Sequence, residues 1–119
     1  MSSPPHLINA LGYAQYRLQD FSRADSTFAV GTRADPLNPI LWNNLAAAKM
    51  VSGPLTETSI READDALFHA MNQQVENSYD VDEYHRHVFR ANVQNLVNRL
   101  TGVDSELPLP AVELWWGGE

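Results

Sequence analysis

The chain has 119 residues, of which 44% are apolar and 19% charged, a balance typical of one folded domain rather than a disordered or fibrous chain. Its net charge of −7, without any basic block, disfavours duplex nucleic acid and anionic membranes as partners, because both are bound by clustered Lys and Arg. The absence of Cys excludes disulfides, thiolate metal sites and cysteine nucleophiles. No apolar run approaches the roughly 20 residues of a membrane span, and the N-terminal stretch lacks the basic residues of a secretory signal. We therefore expect a cytoplasmic protein, either free or at a membrane-associated complex.

Helix signals recur along the whole chain, and little of it has strand character. Ser3 and Pro4 have the form of an N-cap and a first helical position. Ser22, with Asp25 three residues later, predicts a second helix start. These two helices are expected to end near Leu18 and Ala34.

A sharp break follows in the stretch ADPLNPILW, residues 34–42. Asn38 is a good N-cap and Pro39 a good first position for a third helix, which Ser52, Gly53 and Pro54 would end.

Two capping boxes predict the remaining helices. Ser59 with Glu62 precedes a fourth helix, expected to run to about Gln74, and Asp80 with Glu83 precedes a fifth that Gly102 would stop. The fifth is also predicted by apolar residues at three- and four-residue steps: Val81, Tyr84, Val88, Val93, Leu96, Val97 and Leu100.

The chain also repeats itself, which predicts two helical hairpins of one design. Ile8, Leu11 and Gly12 recur 34 residues later as Trp42, Leu45 and Ala46. Ala24, Phe28 and Gly31 recur 39 residues later as Ala63, Leu67 and Ala70, so the second turn is five residues longer.

With these residues the chain resembles the tetratricopeptide repeat (TPR) family. The matching positions are Leu11, Gly12, Ala24, Phe28 and Pro36 in the first unit and Trp42, Leu45, Ala46, Ala63, Leu67 and Ala70 in the second. The sequence departs from the family pattern at Gln15, where a tyrosine is preferred, at Gln19, where a turn glycine is preferred, and at Val75, where a proline would end the unit. The resemblance implies an all-α, TPR-like α-α superhelix, a short solenoid in which small residues such as Gly12 and Ala46 let paired helices approach closely.

We predict one helical domain over residues 1–102, with hairpins at 4–36 and 38–75 and a capping helix at 80–101. Residues 103–119 are predicted to form an extended tail that contains Pro and Trp.

No catalytic, cofactor or metal site is predicted. His85 and His87 are two residues apart on a helix and point in different directions, so the cluster Tyr84-His85-Arg86-His87 is expected to be a solvated face or a partner contact. The acidic pair Asp64 and Asp65 diverges in the same way, and acids at 80, 82 and 83 are explained by the helix dipole. With no phosphate-binding loop or nucleophile–base motif, we expect neither enzymatic activity nor a small-molecule substrate.

In TPR proteins, the first helices of successive hairpins line a concave groove that holds partner segments. By position, the resemblance implies a groove formed by His6, Asn9, Tyr13, Tyr16, Arg17, Ile40, Asn43, Ala47 and Met50. Asn43 and Asn44 are similar to the asparagine of TPR proteins that clamp the terminal carboxylate of heat-shock chaperones. Such clamps also need basic residues on the first hairpin, where this chain has Asn9 and Tyr13, so that partner is disfavoured.

The tail has a strongly apolar character, and Pro108 and Pro110 keep it extended. Its large apolar side chains Leu114, Trp115 and Trp116 are expected to be buried. They pack either against the chain's own last helix or groove, or against another subunit.

These features predict a non-catalytic protein–protein interaction module that acts as an accessory or scaffold subunit of a larger assembly, through its groove and its tail. The alternative is a chaperone-like adaptor that transiently holds a partner peptide, as small secretion chaperones of this family do. An enzyme with an unrecognised site is a remote third hypothesis.

Overall fold

The computed structural model describes residues 4–76, 83–103 and 107–111, and these residues contain five α-helices and no strand. The helices are α1 (Pro5–Arg17), α2 (Phe21–Ala34), α3 (Pro39–Val51), α4 (Glu57–Glu76) and α5 (Glu83–Thr101). The predicted all-α class is confirmed.

Helix α3 lies at the centre of the fold and packs against each of the other four helices. Each helix also packs against the next one along the chain. The main core collects buried side chains from all five helices: Tyr16, Ala24, Phe28, Leu41, Leu45, Ala46, Ala47, Ala48, Met50, Ala63, Ala66, Leu67 and Leu96. The alanines of α3 are small enough to let several helices approach it at once.

The close approach predicted for the first hairpin is present. A Cβ atom added to Gly12 would lie 2.4 Å from the ring of Phe28, and one added to Gly31 would lie 2.7 Å from Leu41. Glycine at these two positions therefore sets the spacing between α1 and α2 and between α2 and α3.

The joint between the hairpins is built as the sequence predicts. The side chain of Asn38 accepts a hydrogen bond from the backbone N–H of Ile40 (3.0 Å), and Pro39 is the first residue of α3. Trp42 then locks the joint, because its indole N–H donates to the carbonyl of Pro36 (2.7 Å) and its ring stacks on His69 of α4 (4.3 Å between centroids).

The starts of α1 and α2 differ from the prediction. Ser3 lies outside the described residues, and α1 begins at Pro5 with Pro4 in the N-cap position. Helix α2 begins one residue before Ser22. Asp25 does not cap this helix, because its carboxylate pairs with Lys49 of α3 (3.1 Å) and accepts from the hydroxyl of Ser52 (3.1 Å).

The capping box of α4 was also misplaced, by one turn. Ser59 is not the cap but the third residue of the helix: its hydroxyl accepts from the backbone N–H of Thr56 (2.8 Å), and its own N–H donates to the hydroxyl of Thr56 (3.1 Å). This reciprocal pair satisfies both N–H groups, so the helix starts at Glu57. Helix α5 starts at Glu83, and its predicted cap Asp80 lies outside the described residues.

Two turn residues adopt left-handed backbone conformations. Gly102 (φ 76°) follows the end of α5, as predicted. Gln19 (φ 63°) lies in the turn between α1 and α2, at the position where the TPR pattern has glycine, so a residue with a Cβ occupies a conformation that disfavours one.

Candidate functional site

The most elaborate polar site of the described structure is formed around residues 107–111, Leu-Pro-Leu-Pro-Ala, here called the bound segment. It lies in a groove whose contacting side chains come from α1, α3 and α5: Asn9, Tyr16, Asn43, Asn44 and Asn92. Pro108, Pro110 and Ala111 of the bound segment are buried. Part of the C-terminal tail is therefore held by the helical domain of the same chain.

Two asparagines each form a pair of hydrogen bonds with one residue of the bound segment. Asn92 accepts from the N–H of Leu109 (2.8 Å) and donates to its C=O (2.8 Å). Asn44 does the same with the N–H and C=O of Ala111 (2.7 Å each). The two amide side chains thus pair with an extended backbone much as a neighbouring β-strand would.

The asparagines also bond to one another, which fixes the orientation of each amide. Asn92 donates to the side-chain oxygen of Asn43 (2.8 Å), Asn43 to that of Asn44 (3.1 Å), and Asn44 to that of Asn9 (2.6 Å). Asn43 also donates to the carbonyl of Leu109 (3.1 Å), and Asn9 to that of Ala111 (3.3 Å). Three of the four NH₂ groups therefore use both of their hydrogens.

All four asparagines are at most 2% exposed. A buried amide is costly unless it is hydrogen-bonded, so the network is stable as a whole while the backbone of the bound segment is present to complete it.

Tyr16 holds the other end of the bound segment. Its hydroxyl donates to the carbonyl of Pro108, and its ring packs beside Phe21 at the start of α2 (4.9 Å between centroids). Burial raises the pKa of the Tyr16 hydroxyl to about 12, although the positive charge of Arg99 partly opposes the shift. The hydroxyl therefore remains a donor at any physiological pH.

The end of the bound segment rests on an apolar floor. Ala111 is fully buried in a cluster with Ile40, Ala70, Val88 and Phe89. Residues on three different helices make this floor, so it exists only when α3, α4 and α5 are assembled.

Beside the bound segment lies an open cavity of about 400 Å³. Tyr13, Tyr16 and Arg17 of α1 and Tyr84 of α5 line one side of it, and Leu107–Pro110 line the other. The guanidinium of Arg17 donates to the hydroxyl of Tyr13 (3.3 Å) and lies over its ring.

The structure places the residues predicted for the groove in different surroundings. Asn9, Tyr16 and Asn43 contact the bound segment, and Tyr13 and Arg17 line the cavity beside it. Ile40 lies in the apolar floor and His6 is half-buried on α1. Ala47 and Met50 are buried in the main core, in the cluster that also contains Leu96.

The structure adds Asn44 and Asn92 to the site. Asn92 was missed because a polar residue is expected on a solvated face. A signal was nevertheless present: Asn92 falls at helical spacing on the buried stripe of α5, with His85, Val88, Phe89, Asn95 and Leu96.

Other predicted features lie elsewhere. The solvated face proposed for residues 84–87 is wrong for His85, which is 0% exposed and has the Tyr84 ring beside it, whereas Arg86 and His87 are exposed. Asp64 and Asp65 are exposed and line a cavity of about 510 Å³ whose other lining side chains are apolar.

The tail residues Leu114, Trp115 and Trp116 lie outside the described residues, as do Asp80 and Asp82. Within the described part of the chain, no three His, Asp or Glu side chains are grouped to hold a metal ion. No helix in that part has both the length and the apolar character needed to span a bilayer.

Comparisons of the chain with models of known protein families, with curated proteins and with solved structures find no match.

Proposed function

We propose that this chain is a non-catalytic protein–protein interaction module, a short TPR-like array whose groove binds extended peptide segments through their backbone. The observation that carries the proposal is the double pairing of Asn92 with Leu109 and of Asn44 with Ala111. Each pair uses the backbone N–H and C=O of one residue. Every residue except proline offers both groups.

The hydrogen-bond network of the asparagines supports a binding role over simple core packing. A core is normally closed by apolar side chains, because buried amides must all find partners. Here four asparagines from three helices converge on one strand of backbone, and they form a connected network that a bound segment completes. The hydrogen bonds between the asparagines fix the orientation in which each amide pairs with a peptide backbone.

The same chain offers a second contact to an assembly. Residues 112–119, which include Leu114, Trp115 and Trp116, directly follow the bound segment in sequence. In a scaffold subunit, the tryptophans of this stretch would anchor a partner, since tryptophan is enriched among residues that dominate interface energetics.

A peptide-binding measurement on the full chain tests the groove. Ala111→Arg places a long charged side chain at a fully buried position and so should release the bound segment without altering a groove residue. A fluorescent nine-residue peptide with the sequence of residues 105–113 should then bind in trans, as measured by anisotropy.

Adding Asn92→Leu to Ala111→Arg should weaken that binding about tenfold or more, because two hydrogen bonds to the peptide backbone are lost. Asn98→Leu is the matched control on the same helix, since the side-chain oxygen of Asn98 accepts a hydrogen bond from the exposed Gln94 (2.8 Å). The proposal fails if the peptide does not bind folded Ala111→Arg protein, or if both asparagine variants bind it equally.

The role of the tryptophans is tested separately. Purification of the tagged chain at native expression should yield a stoichiometric partner, and replacing Trp115 and Trp116 by alanine should reduce it. Substoichiometric clients that depend on Asn92 but not on the tryptophans would instead indicate the chaperone-like adaptor.

A further inference from the structure

The bound segment has prolines at alternate positions, and this spacing matches the hydrogen-bonding capacity of the groove. Proline has no backbone N–H, so Leu109 and Ala111 carry the only N–H groups between residues 108 and 111. Both are accepted by asparagine oxygens, at 2.8 Å and 2.7 Å. The groove therefore supplies one acceptor for each donor that this part of the segment brings.

The burial pattern alternates in the same register. Pro108 and Pro110 are buried, whereas the side chain of Leu109 between them is 41% exposed. Any other residue in place of either proline would carry an additional N–H into the buried groove, where a donor without a partner is costly. The prolines also hold Leu107 and Leu109 in extended conformations before binding, which reduces the conformational entropy that the segment loses when it binds.

The position after the second proline is restricted in size. Ala111 is fully buried against Ile40, Ala70, Val88 and Phe89, so a larger side chain would have to displace this floor. The position of Leu109, in contrast, is open to solvent and places little restriction on the side chain.

We infer that the groove is selective for segments of the form Pro-x-Pro-Ala, and that its partner is a protein presenting such a segment, which displaces the chain's own copy. This inference rests on the proposed peptide-binding function and specifies its ligand. The resident copy is tethered, so it competes at an effective concentration on the order of millimolar. A partner segment gains access when it is anchored nearby by other contacts.

The test uses the full chain carrying Ala111→Arg and two peptides that differ only in the prolines. The first has the sequence of residues 105–113, and the second carries the changes Pro108→Ala and Pro110→Ala. The first should bind about tenfold or more tightly than the second. The wild-type chain should bind the first peptide at least about tenfold more weakly than Ala111→Arg does, because its own segment competes.

Equal binding of the two peptides to Ala111→Arg overturns the proline selectivity and leaves the proposed peptide-binding function intact. Failure of both peptides to bind the folded variant removes the proposed function as well. Equal binding of the first peptide to the wild type and to Ala111→Arg contradicts displacement of a resident segment.

If circular dichroism shows that Ala111→Arg does not fold, the wild-type chain provides the same comparison. At millimolar concentration the first peptide should displace the resident segment, so that the backbone amide resonances of the chain's own Leu109 and Ala111 shift toward unfolded-peptide positions in NMR spectra, and the second should not. Identical shifts with the two peptides refute the selectivity.

Discussion

Replacing Asn92 by leucine is the sharpest single perturbation of the groove. The two side chains are similar in size, but leucine offers no hydrogen bond. The change removes the bond from Asn92 to Asn43 and both bonds between Asn92 and Leu109. The carbonyl of Leu109 keeps its bond from Asn43, so the groups left without these partners are the N–H of Leu109 and the side-chain oxygen of Asn43.

The expected magnitude follows from these two groups. A buried polar group left without a partner costs about 1–3 kcal/mol, so the variant should lose roughly 2–6 kcal/mol if the bound segment stays in place. This is a large share of the roughly 5–15 kcal/mol by which small domains are stable. The chain can reduce the loss by releasing the bound segment, which lets water reach both groups.

Two measurements together cover both responses. Urea denaturation reports the free energy of unfolding, and amide hydrogen exchange by NMR reports the protection of Leu109 and Ala111. Asn92→Leu should lower the free energy of unfolding, or abolish the protection of the Leu109 and Ala111 amides, or do both. Asn98→Leu should leave exchange unchanged and alter stability by no more than about 0.5 kcal/mol. If Asn92→Leu leaves the free energy of unfolding within about 0.5 kcal/mol of wild type and the Leu109 amide as protected as before, Asn92 does not hold the bound segment.

Tyr16, Gly12 and Gln19 each provide a further test of the packing. In an ultraviolet titration, the difference between wild type and Tyr16→Phe should show a tyrosine that ionises near pH 12. Because the pKa of Tyr16 is raised above its unfolded value, its contribution to stability should be complete below about pH 10 and decline as pH rises to about 12; an ordinary titration near pH 10 would contradict this. Gly12→Ala should lower the free energy of unfolding by about 1–3 kcal/mol, because the alanine Cβ would lie 2.4 Å from the Phe28 ring. Helix propensity alone would stabilise the variant, so a higher free energy of unfolding would be evidence against this packing. Gln19→Gly should raise the free energy of unfolding by about 0.5–1 kcal/mol in urea denaturation, because φ at Gln19 is 63° and its side chain is exposed. A loss of stability would show that the turn does not need glycine.

Local rules predicted the parts of the fold that depend on neighbouring residues. The cap at Asn38, the first position at Pro39 and the stop at Gly102 are confirmed, because each depends on backbone geometry within a few residues. The starts of α2 and α4 were misplaced where a competing partner existed: Asp25 pairs with Lys49 on another helix, and Ser59 pairs with Thr56.

The groove was predicted only in part. The resemblance to TPR proteins implied that Asn9, Tyr16 and Asn43 lie in one groove, and these three contact the bound segment. The seating of residues 107–111 was left open, because it depends on pairs such as Asn9 with Ala111 that are 102 residues apart in sequence and have no local signature. Asn92 was missed for a related reason: only the folded chain brings its partners, the backbone of Leu109 and the side chain of Asn43, close to it.

Asparagine side chains pair with the backbone of the bound segment, and scalar coupling across hydrogen bonds measures this pairing directly. In isotope-labelled wild-type protein, the amide nitrogen of Leu109 should couple to the side-chain carbonyl carbon of Asn92, and that of Ala111 to the side-chain carbonyl carbon of Asn44. Absence of both couplings, with the two amides exchanging at the rate of an unfolded peptide, would contradict this pairing.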